Sequence, residues 1–227
     1  MNARLVITAA AALVLLCVQA PLAYWAHGQR WAPQSTILMQ LHLGVPTQPL
    51  LDGHPSWDAV AAGALAAWNQ VLNEVGFDAV AEPLQPAGLQ NEFNDVTWGE
   101  DVYGESFGDA VAITKWLYVV PDNIIIEADV IFDQRKAWDS YRGNARPALQ
   151  GGTLIDFRRV ALHEFGHALG LAHPDDNAQA VPAIMNRLAG NIDDLQADDI
   201  AGMQSIYGVR PAEIAPPVAE PLRAWHR

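Results

Sequence analysis

Apolar and polar residues alternate through STILMQLHLG, residues 35 to 44. Ile37, Met39, Leu41 and Leu43 fall on one face, with Leu38, Gln40 and His42 opposite. A period of two is the mark of a half-buried strand. Beyond a turn rich in Pro and Gly the period changes. Ala61, Leu65, Trp68 and Leu72 recur at helical spacing within WDAVAAGALAAWNQVLNEV, residues 57 to 75, and Ser56 stands where an N-cap belongs. Residues 82 to 109 lose any period and carry Pro, Gly, Asn and carboxylates, among them Glu100, Asp101, Glu105 and Asp109, which predicts a loop. Two runs rich in β-branched and aromatic residues follow, AVAITKWLYV (110 to 119) and NIIIEADVIFD (123 to 133). They predict two strands joined across Pro121 and Asp122, the second alternating from Ile124 through Ile126, Ala128 and Val130 to Phe132.

A loop bearing Gly and Arg spans 139 to 152. A helix is predicted next, with Asp156 as its cap, Phe157, Val160 and Ala161 toward the core, and an end at Gly170. The last helix runs from about Gln196 to Tyr207. Leu195 and Ile200 suit a hydrophobic staple, Asp198 and Asp199 suit the positive end of the helix dipole, and Gly208 ends it. The segment from 209 to 227 is rich in proline and poor in core-forming residues, which predicts a disordered tail. There is no internal repeat.

Composition changes the picture at the N-terminus. The chain has 227 residues, about half of them hydrophobic, enough for one domain with a sizeable core. Part of that hydrophobicity lies in residues 1 to 26, where Arg4 precedes an apolar run from Leu5 to Val18. This run suits a secretory signal and is short for a membrane span; an uncleaved anchor reaching Ala26 is the alternative. Cys17 is the one cysteine and lies inside this segment, so the domain beyond has neither disulfide nor thiolate ligand. Residues 27 to 34 read as a linker and 35 to 208 as the domain. The formal charge of −13, from 26 acidic and 13 basic residues, argues against nucleic acid or an anionic lipid surface as partner.

The candidate chemistry sits in HEFGHALGLAH, residues 163 to 173. Four residues of helix advance about 400°, so His163 and His167 share a face one turn apart and reach one small cation. Glu164 is rotated about 100° from His163 and is left free to meet a water on that ion. Imidazole nitrogens suit zinc, and a catalytic zinc keeps one position open. Gly170 at the helix end can turn the chain left-handed and swing His173 back as third ligand; a continued helix would carry His173 too far. A buried helix with ordinarily bonded histidines would not require all five of these positions together.

HEFGHALGLAH, with Met185 downstream in AIMN, resembles the metzincin zinc endopeptidases, whose methionine turn lies under the metal. Within that clan the chain is most similar to the matrixins, also through AVAIT, EADVIFD and LQADDIAGMQSIYG, over about residues 35 to 208. The resemblance implies an α+β, zincin-like fold: a twisted mixed sheet with an antiparallel edge strand, an active-site helix and a C-terminal helix. It implies one catalytic Zn2+ on His163, His167 and His173, Glu164 as general base, and Met185 packed beneath the ligands. Extended protein or peptide substrate would lie along the edge strand, expected at Ala110, Val111, Ala112, Ile113 and Thr114, since an edge offers main-chain hydrogen bonds to any sequence. There are departures. No cysteine is available for the family's thiolate latch, and its structural-zinc motif is not found. Arg187 stands where some relatives have a tyrosine, and Pro174 follows His173 as in the serralysin branch.

The reading is an exported or membrane-anchored zinc endopeptidase, expected to be a monomer, with membrane association only if the N-terminal segment is retained. A catalytically silent zinc-containing peptide-binding module and a hydrolase of small amides are the competing readings. Ca2+ on the acidic residues between 92 and 109, or on Asp193 and Asp194, competes with a simply solvated acidic loop. His27, His42, His54 and His226 lack ligand spacing and read as ordinary histidines.

Overall fold

The computed structural model describes residues 24–149, 152–188 and 190–210. Residues 1 to 23 of the expected leader or anchor, with Cys17, and nearly all of the expected tail lie outside the described residues, while Trp25–Ala26 forms a short strand against Leu171–Ala172. Five strands form one mixed sheet: β1 (Thr36–His42), β2 (Gly76–Val80), β3 (Asn94–Gly99), β4 (Ala112–Val119) and β5 (Ile124–Asp133), in spatial order β2-β1-β3-β5-β4. β1 pairs in parallel with β2 and β3, and β3 with β5; β4 alone runs antiparallel, on the outer side of β5. Three helices complete an α+β fold: α1 (Trp57–Asn69), α2 (Phe157–Ala168) and α3 (Ala197–Tyr207). The parallel pair β1 and β2 needs a crossover, and α1 supplies it.

The predicted alternation of β1 is observed. Ile37, Met39, Leu41 and Leu43 are all buried and join Ala61, Leu65, Trp68 and Leu72 in one core beneath α1 and α2. The Ser56 hydroxyl accepts from the Ala59 amide at 3.0 Å and fixes the start of α1. Its end comes earlier than the pattern predicts. The Asn69 amide donates to the Phe77 carbonyl at 2.9 Å and accepts from the Phe77 amide at 2.8 Å, tying the last helical residue to β2. Five rings, Trp57, Trp98, Phe132, Trp138 and Phe157, pack edge-on and tilted at centroid distances of 4.6 to 6.0 Å where α2 begins.

The predicted loop from 82 to 109 needs correction, because β3 lies within it at the centre of the sheet. Its sequence, NDVTWG, reads as loop since its second face meets a buried polar layer instead of an apolar one. There Gln40, Asp95 and Asp129 are fully buried and Glu127 nearly so. Asp95 accepts from the Gly88 amide at 3.0 Å and from Asn91 at 2.8 Å, and faces His42 Nε2 at 2.9 Å. Glu127 accepts from the amides of Gln90 and Glu92 at 2.6 and 2.8 Å. The Tyr103 hydroxyl donates to Asp129 at 3.0 Å. These carboxylates staple the segment before β3, and the loop after it, onto the sheet. Burial pushes the Asp129 carboxyl up to about 7, with the neighbouring Asp95 and Glu127 adding to the rise.

Two smaller differences concern the approach to α2. The expected loop from 139 to 152 is flanked and crossed by short strands at Trp138–Asp139, Arg146–Pro147 and Thr153–Asp156. Asp156 stands at the N-cap position, but its side chain makes no cap hydrogen bond. It turns instead to the Tyr141 amide at 3.3 Å and the Arg159 guanidinium at 3.5 Å.

Candidate metal centre

The site begins with how α2 ends. The last carbonyls of a helix have no partner inside it. Here the Trp116 and Trp31 indoles donate to the carbonyls of His167 and Ala168 at 3.2 and 2.8 Å, and the Tyr207 hydroxyl to that of Leu169 at 2.7 Å. Three separate elements thereby pin the helix terminus. Gly170 then takes φ +99°, and a Cβ there would lie 2.3 Å from the Gln29 carbonyl, so glycine is required twice over. The reversed chain, Leu171–Ala172, pairs antiparallel with Trp25–Ala26, and His173 follows directly.

The three histidines meet. Their Nε2 atoms lie 3.0 Å (His163 to His167), 3.1 Å (His163 to His173) and 2.9 Å (His167 to His173) apart. Each Nδ1 faces an oxygen: the Ile184 carbonyl at 2.8 Å for His163, the Leu171 carbonyl at 2.8 Å for His167, and an Asp176 carboxylate oxygen at 3.1 Å for His173. An oxygen acceptor fixes the ring proton on Nδ1, so each Nε2 presents a lone pair. Three lone pairs at such separations repel unless a cation sits among them, and imidazole nitrogens suit zinc. The donor set fits the metal. Burial, and then the neighbouring imidazoles, hold His167 well below the usual histidine range and lower His173 as well, which keeps both rings neutral and able to ligate.

Glu164 is buried, 5 % exposed, and burial raises its carboxyl above the ordinary value while His163 and the Thr114 hydrogen bond oppose the rise. The Thr114 hydroxyl donates toward Glu164 Oε2 at 2.7 Å and toward the Glu164 carbonyl at 3.0 Å. Thr114 belongs to β4, so the outermost strand of the sheet is fastened to the helix at this carboxylate. β4 is the antiparallel edge strand that was expected, although it starts at Ala112; Ala110 and Val111 precede it, and the Val111 carbonyl accepts from the Asp133 amide.

Met185 lies against Gly166, where an added Cβ would fall 2.2 Å from its sulfur. The turn carrying Met185 is held by Asp199, whose carboxylate accepts from the amides of Ile184, Met185 and Gln196 at 2.9, 3.1 and 2.7 Å. Helix-dipole position alone does not reveal that role. Through Ile184 it extends to the Nδ1 of His163.

The other histidines have other partners. His42 bonds Asp95 and His54 lies 4.0 Å from Asp52; the His27 ring packs edge-on against Trp116 at 5.3 Å, its centroid 6.1 Å from that of His167, and His226 lies outside the described residues. Asp193 and Asp194 face Arg142, and Asp194 also faces Arg158, while Glu105 pairs with Lys115. Among the described residues, His163, His167 and His173 are the one cluster of three or more metal-ligating side chains close enough to share an ion.

The chain is similar to known proteins. The Matrixin family model matches residues 45–208. Macrophage metalloelastase from Oryctolagus cuniculus is 41 % identical over 88 residues, 37 % of this chain and 16 % of that protein. Human matrilysin is 27 % identical over 192 residues, 77 % of this chain and 68 % of that one. The chain thus spans most of matrilysin but only about a sixth of the metalloelastase. A crystal structure of myroilysin aligns over 79 % of this chain and 86 % of its own at 16 % identity, with a TM-score of 0.42, too loose a likeness to argue from. On the match over residues 45–208, the chain belongs to the matrixin family of metzincins.

Proposed function

We propose that the protein is a zinc-dependent endopeptidase that hydrolyses peptide bonds in extended protein or peptide substrates. The convergence of three lone-pair Nε2 atoms beside one buried carboxylate carries this reading. His163, His167 and His173 would hold the ion. Zinc bound there lowers the pKa of a coordinated water to about 7 and polarises the scissile carbonyl. Glu164 takes the proton of the attacking water as the carbonyl carbon is attacked, and returns it to the leaving amine as the C–N bond breaks. Thr114 occupies Oε2, which leaves Oε1 to carry that proton. β4 would offer its outer edge to the substrate main chain, around Ala112, Ile113 and Thr114, the last of which bonds the carboxylate.

The catalytic domain is assigned to residues 35 to 208, onto which Trp25–Ala26 and Trp31 pack, with export or membrane attachment through the segment before them. No helix among the described residues is long and apolar enough to cross a membrane. Calcium forms no part of the proposal, because Asp193 and Asp194 already face arginines of the same chain. A silent peptide-binding module is the second reading; the intact, buried Glu164 speaks against it. The test is cleavage of a mixed peptide library by the full chain, with and without a zinc chelator. Cleavage that stops with chelator and returns with zinc supports the proposal. Zinc binding with no cleavage at all would replace it with the silent module.

A further inference from the structure

Two of the three ligand histidines are oriented by buried backbone: His163 by the Ile184 carbonyl and His167 by the Leu171 carbonyl. His173 differs. Its Nδ1 faces the Asp176 side chain at 3.1 Å, and Asp176 is held in turn by Arg187, with Nε and Nη2 2.6 to 3.0 Å from its oxygens. The Arg187 amide also reaches back to Asp175, at 3.0 Å. Arg187 stands two residues beyond Met185, so the methionine turn touches the third ligand through a side-chain ion pair. Both partners are open to water, with side-chain exposures of 45 % for Asp176 and 63 % for Arg187.

We infer that Asp176 and Arg187 form an orienting relay that sets how tightly the metal is held, with His173 as the ligand that yields first. The inference rests on the zinc site proposed above. A carboxylate behind a ligand histidine fixes its tautomer and ring direction, and loss of such a partner weakens metal affinity about 10- to 100-fold. Arg187 acts one step further out. It holds the carboxylate in the rotamer that meets Nδ1, with the fork geometry that arginine has and lysine lacks. An exposed ion pair weakens with salt, whereas the buried carbonyl anchors of His163 and His167 do not. Zinc retention should therefore depend on ionic strength through this one ligand.

The experiment is competition for zinc between the full chain and a metallochromic chelator, at about 0.1 and about 1 M sodium chloride, where the Debye length falls from roughly 10 to roughly 3 Å. Asp176→Ala is expected to raise the zinc Kd about 10- to 100-fold. Asp176→Asn, which keeps an oxygen for the imidazole N–H, should fall between Asp176→Ala and the parent chain. Arg187→Met should raise Kd by less than Asp176→Ala, and Arg187→Lys should recover part of that loss. High salt should loosen zinc in the parent chain and have a smaller effect in Asp176→Ala. Thermal unfolding of the metal-free variants should match the parent, since both side chains lie at the surface. A zinc Kd for Asp176→Ala within about twofold of the parent overturns the relay while leaving the metal site intact. A parent chain that fails to bind zinc overturns the site itself.

Discussion

The Thr114 hydroxyl donates to the carboxylate of Glu164, the proposed base, and misplacing a catalytic group by about 1 Å costs on the order of 100-fold in rate. Thr114→Val is therefore expected to lower kcat about 10- to 100-fold with little change in KM, while Thr114→Ser keeps most of the activity. Equal kcat in Thr114→Val and the parent would show that Glu164 needs no such support. Asp129 offers a second test at this scale. Its folded carboxyl titrates at about 7, well above an ordinary aspartate near 3.9. The stability it contributes is thus full below about pH 4 and is lost as pH rises through about 7. The substitution Asp129→Asn keeps an oxygen for the Asp95 amide and places an amide beside the Tyr103 hydroxyl, without a group that titrates. Urea unfolding at pH 5 and pH 8 should show a smaller loss of stability in Asp129→Asn than in the parent; identical losses would refute the assignment. The spacing of His163, His167, Gly170 and His173 was legible in the sequence because each interval has a mechanical meaning on a helix or at its end. The roles of Thr114, Asp176 and Asp199 were not, since each acts on a group carried by another element and no local spacing ties them together.

At the level of elements, the end of α2 is the joint on which the centre depends. Tyr207 donates to the Leu169 carbonyl and accepts from the Trp31 amide at 3.1 Å, so one hydroxyl links α3, α2 and the N-terminal segment. Tyr207→Phe strands a buried carbonyl and a buried amide and should cost about 1 to 3 kcal/mol in chemical denaturation. A change below about 0.5 kcal/mol would mean that water or a shifted neighbour replaces the hydroxyl. Elements with a clear period, β1 and β5, were legible to within a residue or two, and α1 at its start but not at its end, which Asn69 fixes through Phe77. β2 and β3 were not. β2 has five residues with one buried apolar side chain, and β3 turns Asp95 and Thr97 toward a polar layer built from distant carboxylates. Composition of that kind looks like a loop until the sheet is assembled.

Across the whole molecule, the sheet supplies an antiparallel edge, α2 carries two of the three proposed ligands, and the reversed chain after Gly170 carries the third. Family membership and the mixed sheet were both legible from residues 35 to 208, because the motif, the paired strands and the last helix each point to the same fold. Together these parts are proposed to form one zinc-dependent peptidase with Glu164 as its base. Zinc content and peptide-library cleavage, measured side by side in the parent chain and in Glu164→Gln, decide it. About one zinc per chain is expected in both, with cleavage by the variant lower by roughly 100-fold or more. Near-normal cleavage by Glu164→Gln, or a parent chain with zinc well below one equivalent, would contradict it.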